Sequence, residues 1–119
     1  MNIVIVGFGN IGSYFYNYLK TNKKNLFDKT NTIPNIVYVS AKSLGKKRKL
    51  KIPKSLYLKN CISATKLKNV DIIIELIGGA EGVAKKLVFE ALKNKKHVIT
   101  ANKALVAKYG DQLAKIAEK

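Results

Sequence analysis

Short runs of β-branched apolar residues recur along the chain at residues 3–6, 36–39, 71–77 and 97–100. Ile3-Val4-Ile5-Val6 and the run from Asp71 to Ile77 show no alternation of polar and apolar positions. That continuity predicts strands buried on both faces, as in a parallel sheet. Between the runs the apolar period changes to that of a helix. Ile11, Phe15 and Leu19 predict a helix ending near Lys20. Val83, Leu87 and Ala91 stack along a second helix over 81–94, with lysines outward. After a break at Ala101-Asn102-Lys103 a short helix to Tyr109 is expected, interrupted at Gly110, with Asp111 capping a last helix. Residues 21–35 read as a polar loop anchored by Leu26-Phe27. Pro53 excludes a central strand over 50–58, although a short extended piece fits 56–58, and 63–67 suits one helical turn.

Strands alternating with helices define an α/β class: a Rossmann-like, doubly wound, mainly parallel sheet with helices on both faces. One domain is expected over residues 1–119. No closing strand follows the last helix, so the sheet should be C-terminally incomplete. In such sheets ligands lie beyond the carboxyl ends of the strands, which here means the loops at 7–12, 78–79 and 100–103.

The first of these loops carries the chemistry. Gly7-Phe8-Gly9-Asn10-Ile11-Gly12 is a G-x-G-x-x-G standing between a strand and a helix, the context that a dinucleotide fingerprint requires. Gly7 permits the tight turn, Gly9 admits a pyrophosphate close to backbone, and Gly12 lets helix and strand pack closely. The first-turn N–H groups then face an anion, assisted by the helix dipole. Folds specific for NAD usually place an acid after the second strand to hold the ribose 2′-hydroxyl. Ser40-Ala41-Lys42-Ser43-Leu44-Gly45-Lys46-Lys47-Arg48 has none. Hydroxyls and positive charge there favour a 2′-phosphate, hence NADP over NAD, with a solvated basic loop as the alternative.

Composition narrows the partners. Among 119 residues, 23 are Lys or Arg and 7 are Asp or Glu, a formal charge of +16. Such a balance is a candidate footprint for nucleic acid. The lysines are dispersed, however, and no aromatics interleave with the basic run at 46–51, so a basic nucleic-acid-binding protein is the weaker alternative. No apolar run approaches a membrane span, and no leader precedes the first strand. The single cysteine, Cys61, cannot form an internal disulfide and suits a reducing cytoplasm. One histidine and one cysteine cannot supply a metal site, so none is expected.

From Asp71 onward the string DIIIELIGGAEGVAKKLVFEALKNKKHVITANKALVAKYGDQLAKIAEK resembles the N-terminal nucleotide-binding part of homoserine dehydrogenase. The E-L-I-G-G turn and the H-V-I-T-A-N-K segment carry the resemblance, supported by L-G-K-K-R after the second strand. It implies an NAD(P)-dependent oxidoreductase that interconverts L-aspartate 4-semialdehyde and L-homoserine, on the route to threonine, methionine and isoleucine. By position it implies that Gly9, Asn10 and Ile11 hold the pyrophosphate, within a cofactor-binding loop that runs from Gly7 to Gly12, and that Lys42 meets the adenosine 2′-phosphate. The Gly78-Gly79 turn would lie in the cofactor site. Thr100, Ala101 and Asn102 would lie beside the nicotinamide ribose. Lys103 matches a catalytic lysine between nicotinamide and substrate, where an ammonium can stabilise developing alkoxide character. Ser43 stands where many relatives carry an acid.

The family's substrate-binding domain and second catalytic lysine have no counterpart before Lys119, so an excised fragment or a truncated product, inactive alone, is expected. The unpaired edge of an incomplete sheet admits a homodimer. A non-catalytic NAD(P)-sensing module is the other alternative. His97 and Asp71 read as strand-entry residues and Cys61 as a small packed hydrophobe. Glu75, at the end of an apolar strand, is expected to cap or orient the Gly78 turn rather than to act as a base.

Overall fold

A computed structural model describes residues 1–42 and 52–119. The strands β1 (Asn2–Val6), β2 (Asn35–Ser40), β3 (Ile72–Glu75) and β4 (His97–Thr100) form one sheet in the order β2-β1-β3-β4, and every pairing is parallel. The central pair, β1 and β3, is buried almost throughout, as unbroken β-branched runs require when both faces are covered. Helices α1 (Asn10–Thr21), α2 (Lys23–Thr30), α3 (Val83–Lys93) and α4 (Lys103–Ala117) complete the fold. Short 3-10 segments run over Lys54–Leu56 and Cys61–Lys66.

Alternate side chains of the strands feed two different cores. Ile3, Ile5 and Ile74 meet Tyr16 and Leu19 of α1 on one face, with Leu26 of α2 packed alongside. Val4, Val6 and Ile73 meet Leu87 and Ala91 of α3 on the other, together with Cys61 and Ala64. Val88, Leu105 and Leu113 then dock α4 onto α3. Cys61 is indeed a packed hydrophobe, and burial pushes its thiol pKa up. No helix of the described residues is long and apolar enough to cross a membrane.

Several expectations need correction. The buried face of α1 is Gly12, Tyr16 and Leu19, while Ile11 is 65% exposed. The cause is Gly12, which must touch the Gly7 turn and so sets the helix's rotation on the sheet. In α3 the buried face is Ala84, Leu87, Val88 and Ala91, and Val83 is 48% exposed. That helix begins after a left-handed Gly82 (φ 74°), which leaves Glu81 outside it. Residues 23–30 are helical rather than loop, and Asn31 ends that helix in the left-handed conformation (φ 53°). Gly110 does not interrupt α4, and Asp111 caps nothing. β3 stops at Glu75, short of Ile77.

Elsewhere the expectations match. Residues 61–66 form the short helical turn, capped by the Asn60 side chain. The extended piece at 56–58 is reduced to one bridge, Tyr57 to Val39. The basic stretch from Ser43 to Arg48 lies outside the described residues.

Candidate functional site

The four strands end in one row. Val6 pairs with Ser40 on one side and Glu75 on the other, and Glu75 pairs with Thr100. Because all strands are parallel, the chain leaves the sheet at one edge at 7–12, 41–42, 76–82 and 101–103. β1 lies between β2 and β3, with α1 on one face and α3 on the other. The glycine loop therefore sits where the strand order reverses, at the crevice typical of doubly wound sheets. A shallow cavity lined by Met1, Lys68, Asp71 and His97 opens at the opposite edge, away from that loop.

Contacts within the protein account for two of the loop's glycines. A Cβ at Gly7, whose φ is +98°, would lie 2.6 Å from the Leu76 carbonyl, and one at Gly12 would lie 2.1 Å from the Gly7 oxygen. Gly7 N–H also donates to the Ser40 carbonyl at 2.9 Å, tying the loop to the end of β2. Gly9 is different. Its φ is −78°, and a Cβ there would meet nothing within 4 Å. Among the described residues no contact demands glycine at 9. Gly9 is also the N-cap of α1 and brings no side chain to it, so the first-turn amides point outward with the positive end of the helix dipole. Asn10 and Ile11 are exposed beside them. Such exposed first-turn amides could hold an anion. Lys42 stands exposed, two residues beyond Ser40.

On the β3 and β4 side, a hydrogen-bonded network joins the remaining loops. Glu75, fully buried, accepts at Oε1 from the Ile77 N–H (2.6 Å) and the Gly78 N–H (3.0 Å). Its Oε2 accepts from the Thr100 hydroxyl at 2.5 Å. Thr100 Oγ1 in turn accepts from the Asn102 N–H at 3.0 Å. Asn102, also buried, donates Nδ2–H to the Gly79 carbonyl at 2.5 Å, and its Oδ1 caps α4 at the Leu105 N–H, 3.1 Å away. Gly78 and Gly79 both have positive φ, 86° and 83°. Lys103, the first residue of α4, is exposed.

A model of the homoserine dehydrogenase NAD-binding domain matches residues 7–119. The chain belongs to that family. It is similar to the homoserine dehydrogenase of Neisseria gonorrhoeae, at 33% identity over the whole chain and 27% of that protein. The Bacillus subtilis homoserine dehydrogenase is 34% identical over 95% of this chain and 26% of its own. Among solved structures, S. aureus homoserine dehydrogenase at pH 6.0 superposes with a TM-score of 0.88 at 33% identity, over 99% of this chain and 30% of that one. The chain thus spans little more than a quarter of the curated relatives it matches, the nucleotide-binding part.

In this homoserine dehydrogenase NAD-binding fold, the structure brings Gly7, Gly9, Asn10, Ile11, Gly12, Lys42, Gly78, Gly79, Thr100, Ala101, Asn102 and Lys103 to the same sheet edge. Not all present their side chains outward. Both ends of the Asn102 amide are taken up inside the protein.

Glu81 plays a part that sequence reasoning missed. It stands just before α3 and joins it to α4, accepting from Lys108 Nζ at 2.6 Å and from the Tyr109 hydroxyl. Lys85 Nζ reaches Tyr109 Oη at 2.9 Å and lies 4.1 Å above its ring. The hydrogen bonds from Lys108 and then Tyr109 hold the Glu81 carboxyl down at about 2. No local pattern signals this clasp, because Lys108 lies 27 positions along the chain.

Proposed function

We propose that this chain is the cofactor-holding part of an enzyme that interconverts L-aspartate 4-semialdehyde and L-homoserine. The observation that carries the reading is Gly9. It is a glycine at a helix N-terminus that no contact within the protein demands, flanked by two glycines that such contacts do demand. A pyrophosphate resting against residues 9–11 accounts for it. Lys42, exposed two residues beyond the end of β2, would meet a 2′-phosphate, and its positive charge supports NADP over NAD. A bound nicotinamide dinucleotide supplies or accepts the hydride of the reaction. The chain's own part is to hold that cofactor along the glycine loop and the 100–102 turn. Lys103 then presents an ammonium near the reacting carbonyl, where it favours the charge developing on oxygen.

Calorimetric titration of the chain with NADP and NAD tests the reading, and no binding of either at about millimolar concentration, a free energy near −4 kcal/mol, overturns it. Lys42→Glu should lower affinity for NADP about tenfold or more while changing that for NAD little, since a charge-assisted phosphate contact contributes roughly 1.5–3 kcal/mol. Equal losses for the two nucleotides would refute the phosphate role of Lys42.

A further inference from the structure

Few polar side chains of the described residues are fully buried: Ser40, Thr65, Glu75 and Asn102. Thr65 closes a local turn through the Ile62 carbonyl. The other three lie at the carboxyl edge of the sheet, and Glu75 is the one carboxylate among them. Burying a carboxylate is costly unless donors surround it, and here the donors come from the turn after β3 and from Thr100, the last residue of β4 and the partner of Glu75 in the sheet. The Ile77 and Gly78 N–H groups converge on Oε1, and the Thr100 hydroxyl on Oε2.

We propose that Glu75 is a positioning residue that locks the 77–79 turn and the 100–102 turn into one arrangement, and thereby shapes the place where the nicotinamide end of the cofactor is received. The inference deepens the function proposed above and rests on it. Proton bookkeeping gives it a direction. Thr100 has a single hydroxyl proton, and its oxygen already accepts from the Asn102 N–H. An ionised carboxylate only accepts, so the Thr100 proton goes to Glu75 and a relay runs from the Asn102 backbone through Thr100 into the carboxylate. Asn102 closes the loop by donating to the Gly79 carbonyl and capping α4, at whose first residue stands Lys103. Two acceptor oxygens are needed at Glu75. An amide of the same shape has one acceptor oxygen and one donor nitrogen: with its oxygen on the Ile77 and Gly78 amides, its nitrogen must donate to Thr100 Oγ1 and turn the Thr100 proton away, which reverses the relay. Gly7 of the glycine loop is hydrogen-bonded to β2 at the Ser40 carbonyl and packs against the Leu76 carbonyl, whereas the donors to the carboxylate are Ile77, Gly78 and Thr100. The adenosine and pyrophosphate end should therefore be insensitive to it.

That asymmetry provides the test. Glu75→Gln and Thr100→Val are titrated by calorimetry with NADP and with 2′-phospho-ADP, which lacks the nicotinamide and the ribose that bears it. In the unaltered chain both ligands should bind. Each substitution should lower NADP affinity about tenfold, the consequence of one lost buried hydrogen bond, and leave the fragment's affinity within about twofold. The double variant should lose little more than Glu75→Gln alone, because both changes break one relay. Equal losses for the two ligands would mean general loosening of the edge and would overturn the proposal, as would unchanged NADP binding in folded variants. If Glu75→Gln gives no cooperative melt, Thr100→Val decides by the same split. Failure of the unaltered chain to bind either ligand would instead overturn the nucleotide reading itself.

Discussion

A methyl group added at Gly12 and one added at Gly9 should have opposite consequences. At Gly12 the new carbon would stand 2.1 Å from the Gly7 oxygen, a backbone atom held by the Gly7–Ser40 hydrogen bond. Alanine gains about 1 kcal/mol in helix propensity, but relieving that overlap moves α1 off β1, so Gly12→Ala should lose roughly 2–3 kcal/mol of stability, measured by urea unfolding. At Gly9 the carbon meets nothing. Gly9→Ala should leave the unfolding free energy within about 0.5 kcal/mol and weaken NADP binding about tenfold, read by calorimetry. At this scale the sequence was informative wherever the reason for a residue is local. The spacing of the glycines showed a loop between strand and helix, but not which of them the packing demands.

The helices show how energy differences decide what a pattern only suggests. Gly110 reads as a break because glycine costs a helix about 1 kcal/mol. It fails to break α4 because Leu105 and Leu113, on either side, both bury against Val88, and each such side chain contributes roughly 2 kcal/mol. Gly110 has no positive φ, and an added Cβ would sit 3.7 Å from Val106 Cγ1, an ordinary contact. Gly110→Ala should therefore stabilise the chain by about 0.5–1 kcal/mol, seen as a higher melting temperature. α2 went unread because it buries none of its residues and has no strong apolar stripe, although Asn31 at its end was a usable stop signal.

The clasp between α3 and α4 should be sensitive to acid. The folded carboxyl of Glu81 titrates at about 2 against an ordinary 4.5. Its contribution is thus complete above pH 4.5 and is lost as pH falls from there toward 2. Over that window the protection of the 108–109 amides of α4, relative to free-peptide exchange at the same pH, should fall. The difference in melting temperature between the chain and Glu81→Gln should shrink to nothing.

For the whole molecule the excess of 23 basic over 7 acidic residues is the dominant long-range term. The described ion pairs are few and solvent-exposed, Glu81 with Lys85 and Lys108, and Glu90 with Lys93, so each contributes little. Repulsion among the remaining lysines opposes compaction. Raising the salt from about 0.01 M to 0.15 M shortens the screening length from roughly 30 Å to 8 Å and should raise the melting temperature. A fall would mean that the ion pairs outweigh the repulsion.

By itself the sequence determined what nearest neighbours along the chain can decide. It placed the strands by their β-branched runs, the glycine turn between β1 and α1, the parallel class and the family, whose E-L-I-G-G and H-V-I-T-A-N-K segments are contiguous strings. Tertiary structure alone decided the rotation of α1, the continuity of α4, and the bond between Glu75 and Thr100. The physical reason is range. Glu75 meets Thr100 across 25 positions and Glu81 meets Lys108 across 27, and no periodicity within a segment records such a meeting. The glycine loop was written where it acts, whereas the carboxylate that ties the opposite loops together becomes evident only when β3 and β4 lie side by side.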